Sequence, residues 1–397
     1  MIAEAGSNAV LGFVRVEWRN AGGQTVPHLD KFAAALIVVA VVVGFLAPRD
    51  RNAETSSRAN PAAGGAAHGA QASGKAAAPI PPRKPPKKRV PPFNLAKAAA
   101  AARAAKANEL GQVPILMIHR VMAKPQASLD RSTKELYDEF TGMAKQGYVP
   151  VTAAEFVAGK INIPAGKHPV VLTFDDGSIT HADFDGAGNP KPDTAVAVIQ
   201  RVAKENPGFR PVATFFLNRD PFYGGSKPGI ETMRWLVRNG FEIANHTKNH
   251  KDLGKMSKAE VAKEIGSDEK MIEDATGKPA TTFAFPFGSL SQAHLAWAQS
   301  GAGPAKWNFQ GMFLAGWKPS DSPYASSFDP RQIPRIRDKE KIKEDDCKQY
   351  CSTAWLEWLA KNPDKRYTSD GNPSTIAFPQ DKMIYLYSHY KEWACPY

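Results

Sequence analysis

The chain has 397 residues, 43% of them hydrophobic and 23% charged, an ordinary globular composition that suits one large domain or two smaller ones. Its net charge is +12, but residues 1–109 hold +9 of that, so the remaining three-quarters are nearly balanced and give no reason to expect nucleic-acid binding. Neither Gly-x-Gly-x-x-Gly nor a Walker-type loop occurs, which leaves a nucleotide cofactor unsupported.

Residues 32–48, FAAALIVVAVVVGFLAP, contain no charged side chain, and Lys31 and Arg49 flank them. At about 1.5 Å per residue such a run reaches roughly 25 Å, the short end of a membrane span. An apolar segment with charged flanks and no amphipathic face is expected to cross a membrane once. Lysine and arginine counts tie on its two sides and leave the orientation open. Residues 49–109 form a linker. Up to residue 92 it is rich in Ala, Gly, Pro and Ser and cannot bury enough surface to offset chain entropy, so it is expected to be disordered. Its basic PPRKPPKKR (81–89) is either a solvated spacer or a contact for an anionic surface. NLAKAAAAARAAKANEL (94–110) reads as an alanine-rich helix capped by Asn94, a stalk without an apolar face.

From residue 110 to 397 the texture is that of a folded domain. Strands are predicted over 113–121, 168–178, 211–218, 241–246 and 281–288, and a late one over 383–388. Helices are predicted over 131–147, 193–206, 229–240 and 257–277. Alternation with short connections implies parallel strands and crossover helices. The length suits a (β/α) barrel, with an open doubly wound sheet as the alternative.

In such a barrel the C-terminal strand ends converge on one rim. Asp175 and Asp176 end one predicted strand, His246 another with His250 four residues on, His119 a third and His389 a fourth. An i, i+4 histidine pair presents two nitrogens to one divalent ion, and a carboxylate completes a site with open positions. The adjacent aspartates then divide the work: one ligates, and the other stays ionised beside the cation as a general base. Gly177 lets the chain turn so that both carboxylates can serve one site.

The order Thr173-Phe174-Asp175-Asp176-Gly177, His246-Thr247-x-x-His250, Phe285-Pro286-Phe287-Gly288 resembles the motifs of the polysaccharide deacetylases, the NodB-homology or carbohydrate esterase family 4 domain. ATFFL (213–217) and IPRI (333–336) are similar to family strands, so the resemblance covers about residues 113–390. It implies a distorted (β/α) barrel in which Asp175 is the base, Asp176, His246 and His250 hold a divalent metal, usually zinc, and His389 is the acid. It also implies that the backbone N–H of Phe287 helps hold an oxyanion. Many members carry an arginine three residues before that aromatic; here the place is Ala284, and Arg335 is the candidate to supply the missing charge. The family's aspartate–tryptophan motif has only Trp317 and Asp329 nearby, without the expected spacing. His119 and His181 are further rim candidates, and Trp297, Trp307 and Trp317 are candidates to line a sugar groove.

The implied protein is a single-pass membrane hydrolase with residues 1–31 cytoplasmic and the catalytic domain extracytoplasmic. It would remove N-acetyl groups from an N-acetylated polysaccharide such as peptidoglycan or a surface polymer. An O-acetyl esterase acting on xylan-type substrates, or a degenerate glycan-binding domain, are the alternatives. The three cysteines lie within the last 51 residues. Outside the cytosol one pair is expected to bridge, with Cys395 tying the C-terminus to Cys347 or Cys351.

Overall fold

The computed structural model describes residues 94–288, 291–339 and 346–397; the apolar 32–48 run and the linker up to residue 93 lie outside them. No helix among the described residues is long and apolar enough to cross a membrane. The first half contains α1 (Leu95–Ala104), β1 (Ile115–Ile118), α2 (Thr133–Lys145), β2 (Tyr148–Val151), α3 (Ala153–Val157), β3 (His168–Asp175), α4 (Ala195–Glu205) and β4 (Thr214–Leu217). It continues with α5 (Lys227–Arg238), β5 (Glu242–Asn245), α6 (Lys258–Thr276), β6 (Thr282–Ala284) and α7 (Gln292–Gln299). Then come the hairpin β7 (Ser300–Ala302) and β8 (Lys306–Asn308), β9 (Gly311–Phe313), β10 (Ile336–Arg337), α8 (Ser352–Lys361), β11 (Ile376–Phe378) and β12 (Ala394–Pro396).

The main sheet is parallel in the order β10-β1-β3-β4-β5-β6-β9, with β2 paired along the first half of β3. Ile333 bridges Phe313 of β9, and Ile336 pairs with Leu116 of β1. The 333–337 segment therefore closes the sheet into a small, distorted barrel. Period-2 alternation sorts the side chains. Val170, Leu172 and Phe174 of β3 pack outward with Leu136, Phe140, Ile199, Met233 and Ile265 from the helices. Val171 faces the other way, with Ile115, Phe216, Ala244 and Phe313. All eight residues of β3 are buried, which is why its sequence reads as a nearly unbroken apolar run. The crossover helices form where the 3.6-residue pattern and the caps agree. Ser132 and Glu135 make a reciprocal capping box on α2, as Ser257 and Glu260 do on α6.

Three expectations fail here. The alanine helix α1 is docked rather than a free stalk: Ala102 is fully buried and packs with Ala107, Ala377 and Cys395 beside β11 and β12. Methyl groups permit the close approach that larger side chains would prevent, so an all-alanine face suffices for docking. The 383–388 run is not a strand. It lies across two 3-10 turns, Gln380–Tyr385 and Ser388–Trp393, and leaves Ile384 78% exposed. The cysteines pair locally, Cys347 with Cys351, while Cys395 is buried in β12. The C-terminal strand is held by β11 and α1, whereas the Cys347–Cys351 turn sits between β10 and α8.

Candidate active site

The end of β3 carries the two carboxylates in different environments. Asp175 is 2% exposed and faces the Arg335 guanidinium, whose Nη1 and Nη2 donate to Oδ1 and Oδ2 at 2.6 and 2.8 Å. Arg335 is equally buried. It also donates to Thr173 Oγ1 at 3.1 Å and from Nε to the Leu314 carbonyl at 2.8 Å, and it lies over the Phe216 ring. Burial alone would raise the Asp175 carboxyl; the Arg335 charge, helped by His246 and hydrogen bonds, holds it well below the usual carboxylate range. Asp175 is therefore a fixed, ionised group. Arg335 reaches it from the segment closing the barrel. It serves the carboxylate, and as an inward, fully buried group it is not placed to meet substrate or an oxyanion directly.

Asp176 turns away from the strand at φ +76° and is half-exposed. Its Oδ1 lies 3.7 Å from His246 Nε2 and 3.6 Å from His250 Nε2, and it accepts from Asn218 Nδ2 at 2.8 Å. Ligands about 2.0–2.2 Å from one tetrahedral ion stand roughly 3.3–3.6 Å apart, so this triangle has the size of a metal site. His246 supplies the stronger indication. Its Nδ1–H donates to the Ala284 carbonyl at 2.8 Å, which leaves the Nε2 lone pair pointing at the aspartates. That Nε2 is buried and has no hydrogen-bond partner among the described residues. An orphaned acceptor beside two carboxylates is costly unless a cation lies between them. The donor set, two imidazoles and one carboxylate, fits zinc or a similar borderline ion.

The histidine loop is pinned from behind by α6. Asp268 accepts the His246 N–H at 3.2 Å, Glu264 accepts the Asn249 backbone and side-chain amides at 2.8 Å, and Glu269 accepts from Asn245 Nδ2 and the Ala280 N–H. Burial pushes the Glu269 carboxyl up to about 7 and raises Asp268 well above its ordinary value. Four of the seven non-glycine residues with positive φ among those described are Asp176, Thr247, His250 and Phe287. Such conformations cost on the order of 1–3 kcal/mol each and cluster where side chains must be aimed. Gly177, at φ +63°, has a second constraint: a Cβ there would stand 2.7 Å from Pro221 Cβ.

Phe287 joins the cluster. Its ring, 63% exposed, meets His250 edge-on at 4.9 Å, and its backbone N–H makes no hydrogen bond among the described residues. His389 does not join it. The residue is exposed, with its ring against Tyr387 and Tyr390. Tyr390 packs on Tyr324 and Tyr324 on Tyr367, whose carbonyl meets the His168 ring at the start of β3, the opposite end from Asp175. With no strand formed at 383–388, nothing aims His389 at the rim. His119, at the end of β1 beside β3, is near enough for its charge to act on Asp175, and its Nδ1 is buried without a partner among the described residues. His181 is structural: burial pushes its ring down to about 4, and its Nε2–H donates to the His119 carbonyl at 2.7 Å. Asn218 and the α6 acids were missed in the sequence; the one available signal was that Asn218 directly follows a predicted strand. Of the three candidate groove tryptophans, Trp307 is buried with Nε1 on the Ala298 carbonyl, Trp297 is half-buried against His294, and Trp317 is exposed.

Fold and site together define a parallel (β/α) barrel carrying a two-histidine, one-carboxylate cluster with a separate buried carboxylate at its C-terminal rim. The family model for polysaccharide deacetylases matches residues 162–302 of the chain. It is 29% identical over 163 residues to a chitooligosaccharide deacetylase of Bradyrhizobium sp. (strain ANU 289), covering 41% of this chain and 64% of that protein. It is 27% identical over 154 residues to a peptidoglycan-N-acetylglucosamine deacetylase of Bacillus cereus, covering 38% of this chain and 48% of that one. The match thus spans less than two-thirds of either relative. Among solved structures, a Streptococcus pyogenes deacetylase in complex with acetate aligns with 61% of this chain and 98% of its own, at 18% identity and a TM-score of 0.47.

Proposed function

We propose that the protein hydrolyses the N-acetyl amide of an N-acetylglucosamine-type polysaccharide of the cell envelope or surface. The observation that carries this reading is the orphaned Nε2 of His246, facing Asp176 and His250 next to an aspartate locked by Arg335. Asp176, His246 and His250 would hold a divalent ion, zinc by donor chemistry. When bound, that ion supplies Lewis-acid polarisation of the acyl oxygen and lowers the pKa of water at the site.

The chain's own residues do the rest. Asp175 is held ionised and accepts the proton of the attacking water, since both its oxygens stay fixed by Arg335. Asn218 steadies the Asp176 oxygen that faces both imidazoles. The Phe287 N–H is available to the developing oxyanion, and preorganised backbone donors of this kind are typically worth about 3 kcal/mol. His119 replaces His389 as our candidate to protonate the departing amine, because it lies at the same rim as Asp175. The 32–48 run, kept as a membrane anchor with the domain extracytoplasmic, would suit a substrate that is itself fixed.

Acetate release from N-acetylglucosamine oligomers tests the reading. We expect release that a chelator abolishes and added Zn2+ restores. Release indifferent to the chelator, or activity confined to O-acetyl esters, would refute it.

A further inference from the structure

Outside the segment that the family model matches, the structure carries a second aromatic surface. Helix α8 runs down the outer wall of the barrel from the Cys347–Cys351 turn, and a cavity of about 480 Å³ opens beside it. Among the described residues, Tyr350, Trp355 and Trp358 supply its apolar lining, and Ala354 is its one aliphatic residue. Trp355 and Trp358 meet edge-on at 5.6 Å, and Trp355 Nε1 donates to the Trp317 backbone carbonyl at 2.9 Å, which ties the Trp317 backbone to this helix. Trp317, Tyr350 and Trp358 are 51%, 46% and 38% exposed, so three of the nine large exposed hydrophobic side chains among the described residues gather here. Gln112, Gln349 and Lys361 line the same cavity as hydrogen-bonding groups.

The lining chooses among occupants. A groove for an amphipathic helix or a lipid chain would be lined with Leu, Ile, Val or Met, and the described residues that line this one include none. Its charged lining, Lys348, Lys361 and Glu357, is of mixed sign, so it does not select a polyanion. Flat aromatic faces alternating with amide and charged groups match a pyranose, whose C–H face packs on a ring while its hydroxyls take polar partners. We propose that this face, beside helix α8, binds a second stretch of the polysaccharide, a neutral β-linked N-acetylhexosamine chain. The proposal extends the deacetylase reading by assigning a polymer-binding platform to the same protein.

The test uses the full chain and insoluble chitin as the probe, with the acetylated trisaccharide as a short substrate. Wild-type protein should bind chitin. A Tyr350→Ala/Trp358→Ala double variant should bind at least tenfold more weakly while deacetylating the trisaccharide within twofold of wild type. Trp317→Ala should weaken chitin binding in the same direction, and Trp358→Phe should retain it. Absence of wild-type binding, or equal binding by wild type and both alanine variants, overturns the platform. So does a change from dimer to monomer in the double variant by light scattering, which would make this face a contact between copies. The two readings separate cleanly: acetate release with unchanged chitin binding refutes the platform alone. Lost chitin binding in the variants with no acetate release by wild type refutes the catalytic reading alone.

Discussion

Asp175→Asn is expected to lower the turnover of acetate release by about 10²–10⁴-fold, the range a positioned general base contributes. Asparagine keeps the shape but offers Arg335 one acceptor where the aspartate offers two, and it turns an amide donor toward a guanidinium that only donates. It also cannot accept a proton near neutral pH. Because Asp175 is not one of the three grouped ligands, metal content should be unchanged in this variant, whereas Asp176→Asn should lose both metal and turnover. Parallel kinetics and elemental analysis check this. An Asp175→Asn enzyme within threefold of wild-type turnover would remove the residue from the chemistry.

Arg335→Met should cost about 3–5 kcal/mol of folding stability, the usual penalty for stripping one partner from a buried ion pair. Both groups are almost fully buried and the pair is bidentate, so removing the guanidinium leaves a buried carboxylate without its charged partner. The effect carries a pH signature. In the wild type the folded Asp175 titrates below its unfolded value of about 3.9, so its contribution is fully present above that value and fades as pH falls through the folded one. In the variant burial is no longer opposed by Arg335, and the carboxyl titrates above its unfolded value. The aspartate then destabilises the protein at neutral pH, and the penalty shrinks as the medium becomes acidic. Denaturant unfolding at pH 7 and pH 4 should show a difference between the two proteins that narrows at the lower pH. A difference below 1 kcal/mol at pH 7, or one independent of pH, would contradict this role.

The barrel was legible because its strands announce themselves. The β3 sequence is apolar on both faces and ends abruptly in Asp-Asp-Gly, and the helices α2 and α6 carry reciprocal caps. The Asp176, His246 and His250 grouping was legible because i, i+4 spacing and the strand-end rule are local geometry. Arg335 was legible only as a possibility, since its partner lies 160 residues away in sequence. What escaped depends on tertiary context. Leu386 is the buried residue within the 383–388 run, yet period-2 alternation over so few residues does not distinguish a strand from a pair of 3-10 turns. The docking of α1 turned on Ala377 and Cys395, far along the chain, which no property of an alanine helix reveals. Asn218 and the three α6 carboxylates act by holding other residues, and a supporting role leaves no spacing motif of its own.

The most direct test is the metal stoichiometry of the purified full chain, measured by elemental analysis after dialysis, for wild type and for His246→Ala. One divalent ion per wild-type chain, falling to a small fraction of that when His246 is replaced, is the expected result. A wild-type protein that retains no ion even after loading with Zn2+, or an ion that remains at full occupancy without His246, would contradict the site described here.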